Sequence, residues 1–350
     1  MASLFQGQAS PLDASRLVFS RSTAQRPVPL PGSSELWAQN CFEGMKVYRG
    51  FDGRLRLFRP DLNAKRLNMS AQRVALPGFD DAELVKLITA LVKEDAPRWL
   101  PQDQTGRFLY VRPAIIGNGT QLGVQLPRVA TLFVVMVPWP DFSMELPPNA
   151  KPRAVPGLRL LASQGETTRA WPGGFGYAKV GANYGTTFVA HGKALEQGFD
   201  QILWLFGTDG RVTEAGASNF FAIVKNEASG RAELLTASLD DNLILDGVTR
   251  RSVLELVRSR LSKELSVSET VFTMSELKKA WEQGRLLEAF VSGTAFFITP
   301  VCSINYEGCD LDVPQERQAV GASYASIIKG WLKDIMYGGE IHPWGLVVED

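Results

Sequence analysis

The stretch RAWPGGFGYAKVGANYG, residues 169–185, decides how this chain is read. It follows a short apolar strand pattern, LRLLAS (158–163), and precedes a helical one, TTFVAHGKALEQG (186–198), but it has no period of its own. Five glycines in it, Gly173, Gly174, Gly176, Gly181 and Gly185, let backbone come close to a bound ligand. Lys179 stands among them. A lysine withdrawn from water in such a place is a nucleophilic amine able to form a Schiff base. A solvated lysine on a loop is the alternative, and position alone does not choose between them.

Working outward, the second half of the chain alternates strands and helices. QILWLFG (201–207) and SNFFAIVKN (218–226) read as strands around a turn at Thr208-Asp209-Gly210. VTRRSVLELVRSRL (248–261) reads as a helix after Asp246-Gly247, and MSELKKAWEQG (274–284) as a short helix capped by Ser275. LLEAFVSGT and FFITPVCSI are strands, and GASYASIIKGWLKDIMYGG (321–339) is a long closing helix. In the first half, FEGMKVYRG, FDG and LRLFRP (42–60) make a hairpin pattern. Residues 61–73 and 80–100 carry helical spacing, while 107–116 and 130–138 are apolar strand runs. The proline-rich, aperiodic 139–157 reads as a linker. The expected organisation is an irregular arm over 1–40, a small α/β domain over 41–138, the linker, and a large domain over 158–350.

Two further constellations accompany Lys179. Asp246-Gly247-Val248-Thr249-Arg250 opens a helix, whose free N–H groups and dipole suit a phosphate, with the Thr249 hydroxyl beside them. A plain helix capped by Asp246 is the alternative. Ser292-Gly293-Thr294 is a second small-residue turn able to donate to the same phosphate. Glu214, in VTEAGASNFF, is a carboxylate set between apolar strands. If buried it needs a partner, and a pyridinium N–H would serve; a surface glutamate at a strand end is the alternative. A reactive lysine, a phosphate-binding helix start and a buried carboxylate are together what pyridoxal phosphate requires.

Composition narrows the remaining classes. The 350 residues are enough for two domains, with 45% hydrophobic and 21% charged residues. Thirty-seven basic residues balance 37 acidic ones, so no long-range positive field exists to gather nucleic acid or an anionic membrane. No run of 18 apolar residues occurs. Three cysteines without a CxxC, and only two histidines, argue against a disulfide framework, a structural zinc site and a Ser-His-Asp triad. Arg16, Arg21 and Arg26 among serines give the N-terminus some likeness to a mitochondrial presequence, but Asp13 and the prolines interrupt an amphipathic helix. Cytoplasmic location is the expectation.

The ordered motifs FEGMK, FRPxLNxxR, YVRPxxIGN, RAWPGGxGxxKxGxNYG, LWLFGxDGxxTEAGxxNFF, LxGVTRRSVLEL, SGTA and a closing IMYG…HPW resemble those of the branched-chain amino acid aminotransferases. These are fold-type IV pyridoxal-phosphate enzymes, and the resemblance runs from Phe42 to the C-terminus. It implies a two-domain α+β fold and transamination of branched-chain or related hydrophobic L-amino acids with 2-oxoglutarate. By the same resemblance, Lys179 is the Schiff-base lysine and Tyr184 meets the cofactor's phenolic oxygen. Glu214 pairs with the pyridine nitrogen and Leu245 packs on the ring. Arg66 and Arg169 face the phosphate with Val248, Thr249 and Thr294, while Arg59 is structural.

For the substrate, the resemblance assigns Trp37, Phe42, Tyr110 and Arg112 to the pocket, with Arg112 meeting the side-chain carboxylate of glutamate or 2-oxoglutarate. The turn from Ser292 through Thr294 and Ala295 serves the α-carboxylate. Leu122 and Val124 belong to a loop lent by a second subunit, which implies a homodimer with the site between domains. Three departures stand out. Trp37 and Ala217 replace a usual tyrosine and threonine, Asp246 replaces a usual proline, and several dozen residues usual before ELWAQNCFEG are absent. Phe296 and Thr299 occupy the places of the redox CxxC found in some animal members. Two other readings follow from these features: a different fold-type IV chemistry acting on D-amino acids, amines or aminodeoxychorismate, or a truncated inactive chain that serves as a dimer partner.

Overall fold

The computed structural model describes residues 38–118, 125–138, 157–163, 165–295, 297–314 and 322–348. Trp37, Leu122 and Val124 lie outside these residues, as do nearly all of the 1–40 arm and the 139–157 linker. The chain divides into two compact units. The first comprises Met1–Trp139, Ala178–Ala182 and Ile335–Asp350, and the second Pro140–Tyr177 and Asn183–Asp334. Two pieces expected in the large domain, the segment around Lys179 and the chain after the last helix, belong instead to the first unit.

In the first unit the elements are β1 (Asn40–Phe42), β2 (Met45–Arg49), β3 (Leu55–Phe58), α1 (Pro60–Arg73), α2 (Asp81–Trp99), β4 (Phe108–Gly117) and β5 (Ala130–Pro138). β4 is central: β5 pairs antiparallel along one side of it, and β1 followed by β2 along the other. β1 and β2 are thus one strand interrupted at Glu43-Gly44, with Phe42 opposite Ala114 and Met45 opposite Val111. The β2–β3 hairpin forms as its pattern predicts, turning at Gly53 with φ +77°. A C-terminal strand, Gly345–Val348, pairs antiparallel with β3 and was not legible in the sequence.

α1 turns Asn63, Ala64, Leu67, Ser70 and Ala71 inward at helical spacing and packs on β1 and α2. α2 starts at Asp80, whose carboxylate accepts from the N–H groups of Ala82 and Glu83. Arg59 joins the C-terminal segment of this unit to α1. It precedes α1 in the left-handed conformation (φ 46°), donates its N–H to the Trp344 carbonyl at 2.8 Å and lays its guanidinium 4.3 Å from the Trp344 ring centre.

The second unit is built from β6 (Leu158–Ala162), α3 (Ala182–Gly185, which starts on the last residue of the Lys179 segment), α4 (Phe188–Glu196), β7 (Gln201–Phe206), β8 (Arg211–Ala215), β9 (Ser218–Lys225) and β10 (Ala232–Thr236). It continues with α5 (Val248–Arg260), β11 (Leu265–Glu269), α6 (Met274–Glu282), β12 (Leu286–Gly293), β13 (Phe297–Tyr306), β14 (Cys309–Asp312) and α7 (Tyr324–Tyr337). Strand pairing runs β9–β12–β13–β6–β7–β8 and returns to β9, so six strands close on themselves without free edges. β10 and β11 extend the sheet from β9, and β14 from β13. Leu160, Leu203, Phe220, Ala222, Val291, Val301 and Ile304 are among the residues of its apolar core.

The structure adds β8, β10, β11 and β14 to the expected strands and moves one cap. α6 is capped by Thr273 rather than Ser275: the Thr273 hydroxyl accepts from the Glu276 N–H at 3.2 Å while Glu276 reaches back to the Thr273 N–H at 2.8 Å. Thr273→Ala is expected to cost about 1 kcal/mol in a urea melt, and Ser275→Ala, on the exposed face, less than about 0.5 kcal/mol. Among the described residues no helix is long and apolar enough to cross a membrane, and no group of His, Cys, Asp and Glu side chains could hold a metal ion.

Candidate active site

The expected site residues fall into two groups, one in each unit. In the first unit, the segment bearing Lys179 lies along β1. Phe42 N–H donates to the Lys179 carbonyl at 3.0 Å, Gly181 N–H donates to the Asn40 carbonyl at 3.1 Å, and Cys41 bridges to Val180. The Lys179 N–H turns the other way and donates to the Ser70 hydroxyl on α1 at 2.9 Å. The Lys179 ammonium lies 4.8 Å from the centre of the Phe42 ring.

Arg112 also faces the Phe42 ring, at 4.6 Å, and the Tyr110 ring at 5.0 Å, and its Nη2 donates to the Tyr110 hydroxyl at 2.8 Å. Its Nε is buried and, among the described residues, has no hydrogen-bond partner. A carboxylate would satisfy that donor. A Cβ at Gly44 would overlap the Tyr110 hydroxyl, so the strand break next to Glu43 needs glycine for space as well as shape.

Glu43 was not singled out in the sequence, yet it organises this group. It is wholly buried at the break in the strand, and four donors reach its carboxylate. These are Arg66 Nε at 2.6 Å, Arg66 Nη2 at 2.9 Å, Asn63 Nδ2 at 2.8 Å and the Gly44 N–H at 3.1 Å. Burial pushes the Glu43 carboxyl up, but the charge and hydrogen bond of Arg66, the charge of Lys179 and the Asn63 hydrogen bond outweigh it, and the net shift is downward. Burial and the nearby Glu43 charge push the Cys41 thiol far up, which leaves it an inert packing residue. Arg66, expected to face a phosphate, is therefore placed in an ion pair. The signal in the sequence was a glutamate before a glycine in the middle of a strand pattern, with Asn63 and Arg66 three apart on the helix that covers it.

In the second unit the corresponding centre is Glu214, at 4% exposure on β8. It lies opposite Asn219 of β9 across a tight turn in which Gly216 takes φ +58°. Arg169 Nη2 reaches its Oε2 at 2.9 Å. Oε1 accepts from the Leu245 N–H at 3.0 Å and from Asn219 Nδ2 at 3.2 Å. The same Asn219 amide donates to the Leu245 carbonyl at 2.8 Å, and Arg169 Nη2 donates to the Leu243 carbonyl at 2.6 Å. Asn219, missed in the sequence, thus ties β9 to the strip that enters α5. The strip delivers Leu245 to Glu214 through its backbone, then starts α5 at Val248 and Thr249.

The start of α5 differs from the expected cap. Gly247 occupies the N-cap position, no side chain caps the helix, and a Cβ there would overlap Asn219 Oδ1. Asp246 instead pairs with Arg251, whose Nε reaches it at 2.8 Å and whose Nη2 also contacts it. The Arg251 guanidinium offsets a charge that would otherwise repel an anion at the helix start. Thr249 is buried beside that start. Thr294 and Ala295 sit in the turn after β12, following Ser292, whose buried hydroxyl has no partner among the described residues. Arg169 Nε is likewise buried and unpartnered there. Tyr184 is half-buried in α3. An uncapped helix start, two orphaned buried donors and a buried carboxylate fit a group that carries a phosphate and a protonated ring nitrogen.

The profile of the amino-transferase class IV family matches residues 40–304. The chain is 40% identical over 316 residues to the cytosolic branched-chain-amino-acid aminotransferase of Saccharomyces cerevisiae, spanning 90% of this chain and 81% of that one. To the cytosolic branched-chain-amino-acid aminotransferase of Mus musculus it is 42% identical over 315 residues, 90% of this chain and 78% of the relative. The solved branched-chain amino acid aminotransferase of Thermobaculum terrenum in its PLP form shares the fold, with a TM-score of 0.70 over 92% of this chain and 94% of that one at 24% identity.

Proposed function

The chain belongs to the class IV amino-transferase family, and we propose that it transfers the amino group of leucine, isoleucine or valine to 2-oxoglutarate. It is an aminotransferase of the branched-chain class, with pyridoxal phosphate as its cofactor. The observation that carries the reading is Glu214, a buried carboxylate held by three donors beside the uncapped start of α5. When bound, the cofactor supplies an electron sink for the charge that develops at the substrate Cα.

The residues divide the remaining work. The Lys179 amine would hold the cofactor covalently and would serve as the acid and base that moves the substrate Cα proton. Glu214 keeps the proton on the pyridine nitrogen, with Arg169, Asn219 and the Leu245 N–H fixing the carboxylate. The Val248 and Thr249 amides, the Thr249 hydroxyl and Thr294 would hold the phosphate, whereas Arg66 is engaged by Glu43. Tyr184 would meet the phenolic oxygen, and Leu245 would pack on the ring.

On the substrate side, Phe42 and Tyr110 form an apolar wall. Arg112, braced by both rings and the Tyr110 hydroxyl, receives the distal carboxylate of the acceptor. Thr294 and Ala295 serve the α-carboxylate. Trp37, Leu122 and Val124 lie outside the described residues; a cytoplasmic homodimer completes the reading. Relatives at about 40% identity that bear the branched-chain name favour this reading over another fold-type IV chemistry or an inactive partner chain.

The test is a visible absorption spectrum of the purified protein before and after an amino donor. A yellow band that bleaches with L-leucine and returns with 2-oxoglutarate is the expected result. A band indifferent to L-leucine but bleached by D-alanine overturns the substrate class.

A further inference from the structure

We propose that Ser70 is a positioning residue for Lys179, acting on the lysine's backbone; the proposal rests on the reading of Lys179 as the reactive amine. The Lys179 segment joins β1 through the Lys179 carbonyl and the Gly181 N–H. The Lys179 N–H faces away from that strand, where no further strand among the described residues receives it. The Ser70 hydroxyl receives it at 2.9 Å, across 109 residues of sequence.

Ser70 is fully buried and sits inside α1, where a serine contributes nothing to helix propensity. A serine in a helix interior commonly bonds its own preceding turn. This one spends its hydroxyl on another segment. It lies one turn beyond Arg66 and two beyond Asn63, so the helix face that grips Glu43 also grips Lys179.

The lysine is therefore pinned on both sides of its Cα: by β1 at its carbonyl and by α1 at its N–H. Every rotamer of its side chain starts from a fixed base, and the amine rests against the Phe42 ring. Loss of the Ser70 oxygen leaves a partly buried N–H unsatisfied and releases one of the two pins. A displacement of about 1 Å at a reacting group costs about 100-fold in rate. The expected effect is on the chemical step and on cofactor capture, not on substrate affinity.

The experiment compares full-length Ser70→Ala, Ser70→Cys, Thr236→Val and Lys179→Ala. Thr236 is a control: its hydroxyl is equally buried and bonds the Phe220 carbonyl at 2.9 Å in the second unit. Ser70→Ala is expected to lower kcat for leucine by about 10- to 100-fold with KM within about two-fold. It should slow the capture of pyridoxal phosphate by the apoprotein to a similar degree, and raise amide exchange in the peptide spanning 176–182. Ser70→Cys, of similar volume but a weaker acceptor, should fall between it and the parent. Thr236→Val should lose thermal stability and keep kcat.

Folded Ser70 variants with parental kcat and capture rate overturn the proposal, even if they melt early. Should Ser70→Ala fail to fold, Ser70→Cys decides. Turnover and covalent capture that survive in Lys179→Ala would instead overturn the reading of Lys179, which keeps the two failures distinct.

Discussion

Lys179→Ala protein will remain folded and will transaminate L-leucine at least about 10,000-fold more slowly than the parent, because one substitution removes both the covalent anchor and the proton carrier. The fold should survive because the segment is held by its backbone. The Lys179 carbonyl and N–H bonds to Phe42 and Ser70 involve no side-chain atom of the lysine. An alanine keeps both and deletes an amine that lies against the Phe42 ring and whose charge acts on Glu43. Cofactor should still associate through the residues of the second unit, but without a covalent bond, so borohydride should fix none of it to the chain. A small primary amine in the buffer should restore part of the rate by standing in for the missing group. Turnover within about ten-fold of the parent would exceed what a residual binding site can provide, and Lys179 would lose its role.

Glu43→Gln is expected to have the largest effect on stability, about 3–5 kcal/mol at neutral pH. In this chain that corresponds to a fall in melting temperature on the order of 10 °C. The amide preserves the shape but leaves the nearly buried Arg66 guanidinium facing a neutral group. Its N–H groups also meet Asn63 Nδ2 and the Gly44 N–H, two donors that need an acceptor. Glu43→Gln combined with Arg66→Met, which removes both charges, should recover part of the loss.

The pH dependence has a definite sign. The folded-state pKa of Glu43 lies below its unfolded value, so its ionisation stabilises the fold above about pH 4.3, the ordinary range for glutamate. That contribution disappears as the pH falls below this range through the folded value. Urea melts at pH 7 and in steps below pH 4.5 should show the parent losing stability faster than Glu43→Gln. Equal slopes, together with equal melting temperatures at pH 7, would show that the pair contributes nothing.

Parts of the fold were legible because their signals are local. The FDG hairpin, α1, α2, α5 and the long strands β4, β5, β9, β12 and β13 follow from apolar period and turn chemistry within a dozen residues. The strands that escaped notice are short and depend on neighbours. Arg211–Ala215 has three polar residues out of five, two of them charged, and is a strand only because β7 and β9 flank it. Ala232–Thr236 and Leu265–Glu269 pair in parallel with each other, a contact between distant segments that leaves no local trace. The cap of α6 shifted from Ser275 to Thr273 because the reciprocal bond with Glu276 satisfies two donors at once.

By itself, the sequence determined the chemistry this protein carries: a lysine among glycines, a carboxylate between apolar strands and a helix start behind Asp246-Gly247, in an order that few chains share. Those features are contiguous motifs, each spanning a few residues, and survive being read as text. Tertiary structure alone decided how they are held. Glu43 and Arg66 are 23 residues apart, and Lys179 and Ser70 are 109 apart. Neither pair meets until β1 has joined β4 and α1 has closed over it. Burial then turns a glutamate in a strand into the counterion of an arginine, and a serine in a helix into an anchor for the lysine, because inside a protein an unpaired donor or charge costs more than a distant partner does.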